Sequence, residues 1–209
     1  MFQAIHKDTA LAVARMHKPM LVRPEEIQLM ENASARRREQ FLMGRSAARE
    51  ALQALGGPTG EPIMRGERGQ PRWPAGYTGS ITHAGEIAVA AVCALGNLKS
   101  IGIDLEETTR IVDARLTRRI CVDEELPWAS LDTARLIQIF SAKEALYKAL
   151  YPITGKYFGF KEARLEPDTK SEGFTAVLLS DLSHEFKRGS KIKVNAQRVR
   201  EYYLSSVVV

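Results

Sequence analysis

The chain has 209 residues, of which 44% are hydrophobic and 26% charged, so wholesale disorder is excluded and one large or two small domains fit. Its 30 lysines and arginines exceed its 25 acidic residues, which gives a formal charge of +5. This modest basic excess suits nucleic acid, a phosphate-rich ligand or an acidic protein partner equally well.

The cysteines and the apolar runs indicate a compartment. Cys93 and Cys121 form neither a CxxC pair nor a disulfide framework, and Cys93 lies in the apolar run 87–95, where a buried and inert thiol is expected. No apolar run approaches the ~18 residues of a membrane span. The N-terminus is unlike a secretory signal peptide. We therefore expect a cytoplasmic protein with no membrane span.

The first elements in chain order are an irregular segment and a long helix. Residues 1–24 are poorly periodic, which predicts an irregular lead-in. A helical pattern then runs over 25–55 and is ended by Gly56-Gly57-Pro58. The Gly- and Pro-rich stretch 58–79 predicts loop with one or two short strands. Three strands are expected next, at 79–83, 87–94 and 100–105, with the first two forming a hairpin.

The second part of the chain repeats this order. Segment 111–120 predicts a short basic helix. A strong helix capped by Ser130 or Asp132 is expected to run to about Leu150, because Pro152 prevents its continuation. Strands are predicted at 174–179, 191–197 and 202–209. The sequence of helix, strands, helix and strands predicts an α+β fold of two similar halves that meet near residue 105.

Charged side chains interrupt the apolar faces of both long helices. At 100° per residue, Arg45 falls inside the stripe that contains Phe41 and Leu52, and Arg37 lies on its flank. Arg45 either extends its guanidinium past the edge of the core or needs a buried anion such as phosphate.

On the second long helix Lys143 lies near the centre of the apolar face, and Glu144 and Lys148 lie one turn apart at its edge. An ordinary surface ion pair accounts for Glu144 and Lys148. A buried ammonium at Lys143 needs a partner, because burying an unpaired charge is costly.

Two acidic residues lie on the third predicted strand and at its end. Asp104 and Glu106 share one face of that strand and repel each other unless a cation lies nearby. Mg²⁺ fits because it takes oxygen ligands, and a solvated strand edge is the alternative. His83 shares a face with Ile81, which favours a core histidine. The sequence has no GxSxG, P-loop or GxGxxG motif.

In combination these segments resemble the 4′-phosphopantetheinyl transferases, of the larger monomeric bacterial type that serves siderophore and other peptide or polyketide synthases. The resemblance covers most of residues 36–162. Its parts include Arg37-Arg38, Gly44-Arg45, Arg65-Gly66, Gly69-Gln70-Pro71 and Gly79-Ser80-Ile81-Thr82-His83. Its most specific parts are Gly102-Ile103-Asp104-Leu105-Glu106 and Phe140-Ser141-Ala142-Lys143-Glu144-Ala145-Leu146-Tyr147-Lys148.

The resemblance implies a pseudo-twofold α+β fold in which each half packs a small antiparallel sheet with a helix. Residues 1–104 would contact coenzyme A phosphates and residues 105–209 would carry the metal and the catalytic helix, as one functional unit with the active site in the cleft between them. The implied reaction transfers 4′-phosphopantetheine from coenzyme A to a serine of an apo carrier protein and releases adenosine 3′,5′-bisphosphate. It would depend on Mg²⁺, with Mn²⁺ as a substitute.

The same resemblance implies partners and site residues. The partners would be carrier domains of peptide, polyketide or fatty-acid synthases and no nucleic acid, and the protein would be a monomer. Asp104, Glu106 and Glu144 would bind the metal. Glu144, or a water that it orients, would be the base, and Lys148 would stabilise the pyrophosphate. Contacts to coenzyme A are implied for Arg37, Arg45, Arg65, His83, Lys143 and Lys148.

One position departs from the family pattern. Many relatives carry a basic residue before the proline at Pro71, and this chain has Gln70. Either Arg65 or Arg68 supplies that charge, or the adenosine end of the coenzyme is held more weakly.

Two other functions are open at this point. A non-catalytic module for RNA or a phosphorylated ligand would use the basic segments 36–49 and 110–119. It would need exposed aromatic platforms, and only 7% of the residues are aromatic. A degenerate transferase that only binds coenzyme A is disfavoured, because all three predicted metal ligands and Lys148 are present.

Overall fold

A computed structural model describes residues 2–110, 114–130 and 132–209. The chain divides into two compact units, Gln3–Ile101 and Gly102–Val209, and Phe2 belongs to the second. Each unit packs one long helix against an antiparallel arrangement of strands, so the predicted α+β fold class is confirmed. Within the described ranges no helix has the length and apolar character needed to cross a membrane.

The first unit is a three-stranded sheet covered by a helix. Its elements are β1 (Thr9–Arg15), α1 (Pro24–Gln28), α2 (Ala35–Ala54), β2 (Tyr77–Ala84) and β3 (Ile87–Ala94). The strand order is β1-β3-β2, and both neighbours of β3 run antiparallel to it. Small buried residues let α2 approach the sheet closely, among them Ala47, Ala51, Ala88 and Ala90.

Two expectations for this unit are wrong. The predicted irregular lead-in contains β1, which pairs with β3 from Thr9↔Cys93 to Arg15↔Ile87. The predicted single helix over 25–55 is two helices, because the side chain of Ser34 accepts a hydrogen bond from the Arg37 amide and starts α2 afresh. The predicted hairpin of β2 and β3, in contrast, is confirmed.

The predicted burial of Cys93 is confirmed too. Cys93 lies buried in β3, and burial raises the pKa of its thiol to about 11, in keeping with an inert side chain.

The second unit is a five-stranded sheet in the order β4-β8-β7-β6-β5. Its strands are β4 (Ile101–Glu107, beginning at the boundary), β5 (Ala163–Pro167), β6 (Phe174–Leu178), β7 (Lys191–Val199) and β8 (Tyr202–Val208). Its helices are α3 (Ala114–Ile120), α4 (Leu126–Ala129) and α5 (Thr133–Thr154), with 3-10 turns at Asp123–Glu125 and Phe160–Glu162. Helix α5 packs mainly against β8.

The expectations for this unit are largely confirmed. Asp132 caps α5 by accepting a hydrogen bond from the Arg135 amide. Pro152 does not end α5, which continues to Thr154 and stops at Gly155 with a φ of 62°. A proline so close to the end removes few helix bonds, and the left-handed glycine is the actual terminator. The first three residues of the predicted helix 111–120 lie outside the described residues.

Candidate active site

The first unit contains a basic pocket of about 310 Å³. Arg37, Arg45, Arg65, Arg68 and His83 line it, and none of the described residues that line it is acidic. These include four of the six residues predicted to contact coenzyme A. An anion is the ligand that such a surface attracts.

Arg45 is the most deeply buried cation of this pocket, with only 4% of its surface exposed. Its Nε donates to the Ile63 carbonyl at 2.7 Å, and its guanidinium lies 4.2 Å above the centre of the Phe41 ring. Burial lowers the pKa of Arg45 to about 10, with the Glu26 charge opposing this shift and the Arg65 charge adding to it. A buried guanidinium among other cations is stabilised by an anion, so the second of the two interpretations of Arg45 is favoured.

His83 is tied to Arg37 by its ring. Nε2 of His83 lies 2.9 Å from NH1 of Arg37. A guanidinium only donates, so Nε2 accepts and the ring proton lies on Nδ1. The sequence pattern favoured a histidine buried in the core. In the structure the ring of His83 is only half-buried and lines the pocket.

A tight loop presents the other two arginines. The Gly66 amide donates to the Gln70 carbonyl at 2.7 Å, and the side chain of Gln70 accepts from the Arg68 amide at 3.0 Å. Gly69 has a φ of 88°, which favours glycine at this turn. Gln70 thus holds the backbone of the loop, while Arg65 and Arg68 line the pocket.

The second unit gathers the predicted catalytic residues. Asp104 and Glu106 lie side by side on buried β4, and Lys148 of α5 donates to Asp104 Oδ1 at 2.6 Å. Arg110 pairs with Glu106 Oε2 at 2.6 Å. Two contacts hold β4 against α5: Ser141 Oγ donates to the Asp104 carbonyl at 3.1 Å, and Gly102 lies against the α5 backbone where a side chain would not fit.

Burial dominates the electrostatics of the two glutamates in this cluster. Burial raises the pKa of Glu144, Lys148 opposes the shift, and the charge of Asp104 adds to it. Burial also raises the pKa of Glu106, against the hydrogen bond from Arg110. Burial would lower the pKa of Lys148, but Asp104, Glu144 and Glu106 together raise it, so Lys148 stays charged.

Comparison with known families places both units. Residues 25–93 match the model of the 4′-phosphopantetheinyl transferase N-terminal domain, and residues 100–205 match the model of the 4′-phosphopantetheinyl transferase superfamily. The chain belongs to this superfamily. The predicted family and enzyme class are confirmed.

Curated members of the superfamily are similar over much of their length. PptT of Mycobacterium tuberculosis is 36% identical over 75% of this chain and 70% of its own. Svp of Streptomyces mobaraensis is 38% identical over 76% and 66%, and enterobactin synthase component D of Escherichia coli K12 is 38% identical over 57% and 58%. The chain thus matches about two thirds or less of the length of several of these relatives. A solved holo-[acyl-carrier-protein] synthase of Thermotoga maritima is more distant, with 19% identity, a TM-score of 0.42, and coverage of 53% of this chain and 62% of its own.

The acidic cluster of this superfamily member has the donor chemistry of a magnesium site. Asp104, Glu106 and Glu144 offer only carboxylate oxygens, which Mg²⁺ prefers, and burial raises the pKa of the two glutamates, a cost that a bound cation would offset. In the part of the chain that the structure describes, however, no three His, Cys, Asp or Glu side chains are already gathered around a common point. Lys148 and Arg110 pair with Asp104 and Glu106 instead, so metal binding requires these side chains to rearrange.

Lys143 does not join the transferase site as predicted. Its Nζ donates to Glu125 at 2.7 Å, to the Ile120 carbonyl at 2.8 Å and to the Phe160 carbonyl at 2.9 Å. An ammonium has three N–H donors, so none is left for a phosphate. The predicted contact between Lys143 and coenzyme A loses its support, because the partner that a buried ammonium needs is Glu125.

Sequence reasoning missed several residues that build the transferase site. Gly102 and Ser141 lie within the two most specific family motifs, 102–106 and 140–148, and membership in these motifs is the signal that could have found them. Glu26 and Glu125, both fully buried, gave no local signal, because their partners Arg49 and Lys143 lie far along the chain.

Glu144 is expected to destabilise the metal-free fold at neutral pH. Since its pKa is raised in the folded state, the folded protein binds this proton more tightly than the unfolded chain does. Above the raised pKa the buried carboxylate costs stability, so Glu144→Gln should raise the melting temperature at pH 8 in EDTA. The gain should vanish as pH falls below the ordinary glutamate pKa. Calorimetry from pH 4 to pH 8 measures this, and a less stable variant at pH 8 would contradict it.

Proposed function

We propose that the protein transfers 4′-phosphopantetheine from coenzyme A to a serine of an apo carrier protein and releases adenosine 3′,5′-bisphosphate. The observation that carries this proposal is the pocket of four arginines and a histidine in a chain of this superfamily. Coenzyme A has three phosphates, and forked guanidinium groups bind phosphate oxygens in pairs. Arg68 supplies the basic charge that Gln70 lacks.

The second unit would carry the chemistry. The serine oxygen forms a bond to the phosphorus of phosphopantetheine, and the phosphoanhydride P–O bond breaks, with its electron pair leaving on the bisphosphate. Glu144, or a water that it orients, accepts the serine proton, which a raised pKa favours. Lys148 stabilises the charge on the leaving phosphate. Bound Mg²⁺ or Mn²⁺, held by Asp104, Glu106 and Glu144, would neutralise charge on the phosphoanhydride.

The acceptor would be a carrier domain of a peptide, polyketide or fatty-acid synthase. The E. coli relative is named as an enterobactin synthase component, which favours carriers of siderophore synthesis among these. Helix α3 exposes Arg118 and Arg119, which suit an acidic partner. The monomeric state, the cytoplasmic location and the sharing of one active site by residues 1–104 and 105–209 stay predictions.

The test is a transfer assay with purified protein, coenzyme A, Mg²⁺ and a panel of apo carrier proteins. Intact mass spectrometry should show one carrier gaining the mass of one phosphopantetheine group. The gain should disappear in EDTA and with a carrier whose acceptor serine is replaced by alanine. If the protein bound coenzyme A tightly but modified none of the carriers, it would be a coenzyme A-binding protein and the proposed transfer would be wrong.

Arg45→Met is expected to weaken coenzyme A binding about 10- to 100-fold, because a hydrogen bond to a charged group contributes ~1.5–3 kcal/mol. The variant also loses the bond to the Ile63 carbonyl, so binding is compared at a temperature where circular dichroism shows it folded. Isothermal titration calorimetry gives the Kd. Arg36→Met on the exposed side of α2 is the matched control and should bind as wild type does. Wild-type affinity in both variants would remove Arg45 from the site.

A further inference from the structure

Glu125 and Lys143 form a buried ion pair that ties five segments together, and we call it the Glu125 clasp. Their side chains are 1% and 2% exposed. Besides the three bonds of Lys143, the Glu125 carboxylate accepts from the Val122 amide at 2.8 Å and from the Leu165 amide at 2.7 Å. The clasp thus joins the end of α3, the turn before α4, α5, the Phe160 turn and β5.

The first unit contains the same arrangement, the Glu26 clasp, formed by Glu26 and Arg49. The Glu26 carboxylate accepts from the amide three residues earlier, Arg23, at 2.9 Å, as Glu125 does from Val122. It also accepts from the Ile63 amide at 2.7 Å and from Arg49 at 2.7 Å. Arg49 donates to two further carbonyls, of Leu21 at 3.2 Å and Glu61 at 3.1 Å.

The two cations precede similar short sequences in their helices. Arg49 is followed by Glu50-Ala51-Leu52, and Lys143 is followed by Glu144-Ala145-Leu146. In each unit the acid is the third residue of a short helical turn, and its second backbone donor comes from a later segment. The clasp is therefore a property of the half-fold that both units share.

Each clasp touches a different functional group. In the first unit the Ile63 amide binds Glu26, and the Ile63 carbonyl receives the Nε of Arg45 at 2.7 Å. In the second unit Lys143 directly precedes Glu144 and fixes the rotation of α5 by three hydrogen bonds. It also holds the backbone of Phe160, and Phe160, Glu144 and Lys143 itself all line a pocket of 110 Å³.

We propose that the two clasps are positioning devices with separate tasks: the Glu26 clasp sets Arg45 for coenzyme A binding, and the Glu125 clasp sets Glu144 for the transfer step. Lys143 and Arg49 are positioning residues that touch neither substrate. This proposal rests on the proposed function, and it assigns to Lys143 a task within the signature segment that differs from phosphate binding.

The test exchanges the two cations while keeping their charge. In Arg49→Lys a single nitrogen cannot reach the three acceptors that the guanidinium spans, and in Lys143→Arg a planar fork replaces three converging bonds. Arg49→Lys should raise the Kd of coenzyme A about tenfold by calorimetry, with the single-turnover rate at saturating coenzyme A unchanged. Lys143→Arg should leave that Kd unchanged and lower the rate at least about tenfold.

If a conservative variant does not fold, as judged by circular dichroism, the neutral pairs E26Q/R49M and E125Q/K143M replace it. Removing both charges of a buried pair costs less than removing one, and the same split is expected. A merely structural role would lower both quantities alike in both variants, and that result would overturn the proposal. So would a raised Kd in Lys143→Arg, which would mean direct contact with coenzyme A, or two variants that behave as wild type.

Wild-type protein tests the proposed function, and the variants test the positioning proposal. Failure of the proposed function would appear in the wild-type protein, which would then bind no coenzyme A or modify no carrier. Failure of the positioning proposal would appear only as a missing split between the variants of an active wild type.

Discussion

Glu144→Gln is expected to lower the single-turnover rate of phosphopantetheine transfer by about 10²–10⁴-fold, the range for loss of a general base. Glutamine keeps the shape of the side chain but accepts no proton. Burial raises the pKa of Glu144 and so makes the carboxylate a stronger base than an exposed glutamate. Its ionised form is required for proton transfer, so the rate of the wild type should fall at low pH as this carboxylate is protonated.

The measurement is the intact mass of a carrier protein, quenched at short times with enzyme in excess. Glu50→Gln is the matched control, because Glu50 follows Arg49 as Glu144 follows Lys143 but lies outside the acidic cluster. It should transfer at the wild-type rate. A Glu144→Gln variant as fast as this control would remove Glu144 from the chemistry.

Raising the Mg²⁺ concentration separates the two roles of Glu144. If its main task is to hold the ion, Asp104 and Glu106 remain as ligands and excess Mg²⁺ should restore much of the rate of Glu144→Gln. If its main task is to accept the serine proton, no concentration restores it. The rate of Glu144→Gln at saturating Mg²⁺ therefore measures the loss of the proton acceptor alone.

Local sequence signals predicted the elements that local interactions build. The apolar run 87–94 predicted β3, and the cap candidate Asp132 predicted the start of α5. A charge in an apolar stripe pointed to Arg45, and two acids on one strand face pointed to Asp104, whereas Lys148 was found through the family resemblance. Burying an unpaired charge is costly, so a charged residue within an otherwise apolar face indicates a partner or a function.

Long-range interactions account for what the sequence did not reveal. The weakly strand-forming stretch Thr9–Arg15 becomes β1 only because β3 offers an edge some eighty residues later. The charge of Lys143 was visible, but nothing near it in the chain pointed to Glu125. A phosphate and a distant carboxylate are equally good partners for a buried ammonium, so only the folded chain distinguishes them.

Gly102→Ala is expected to destabilise the second unit strongly and to impair the site with it. A methyl group at this position would overlap the Ala145 carbonyl oxygen and the Ala149 amide nitrogen of α5, and would lie 2.9 Å from Ala149 Cβ. Overpacking of this kind costs about 1–3 kcal/mol, and each kcal/mol lowers the melting temperature of a protein of this size by ~2–4 °C. The two closest atoms are backbone atoms, so no side-chain rotation relieves the overlap.

The consequence for activity follows from the position of Gly102 on β4. Pushing β4 away from α5 lengthens the contact between Asp104 and Lys148 and strains the bond from Ser141 to the Asp104 carbonyl. The transfer rate at a temperature where the variant is fully folded should therefore fall, in addition to the lowered melting temperature. Gly60→Ala, where a methyl group meets nothing within 4 Å, is the matched control and should match wild type in both. Adding Ala149→Gly removes only the farthest of the three contacts, so it should not rescue Gly102→Ala. If it did, or if Gly102→Ala alone had the stability and rate of the wild type, β4 and α5 would not be in backbone contact.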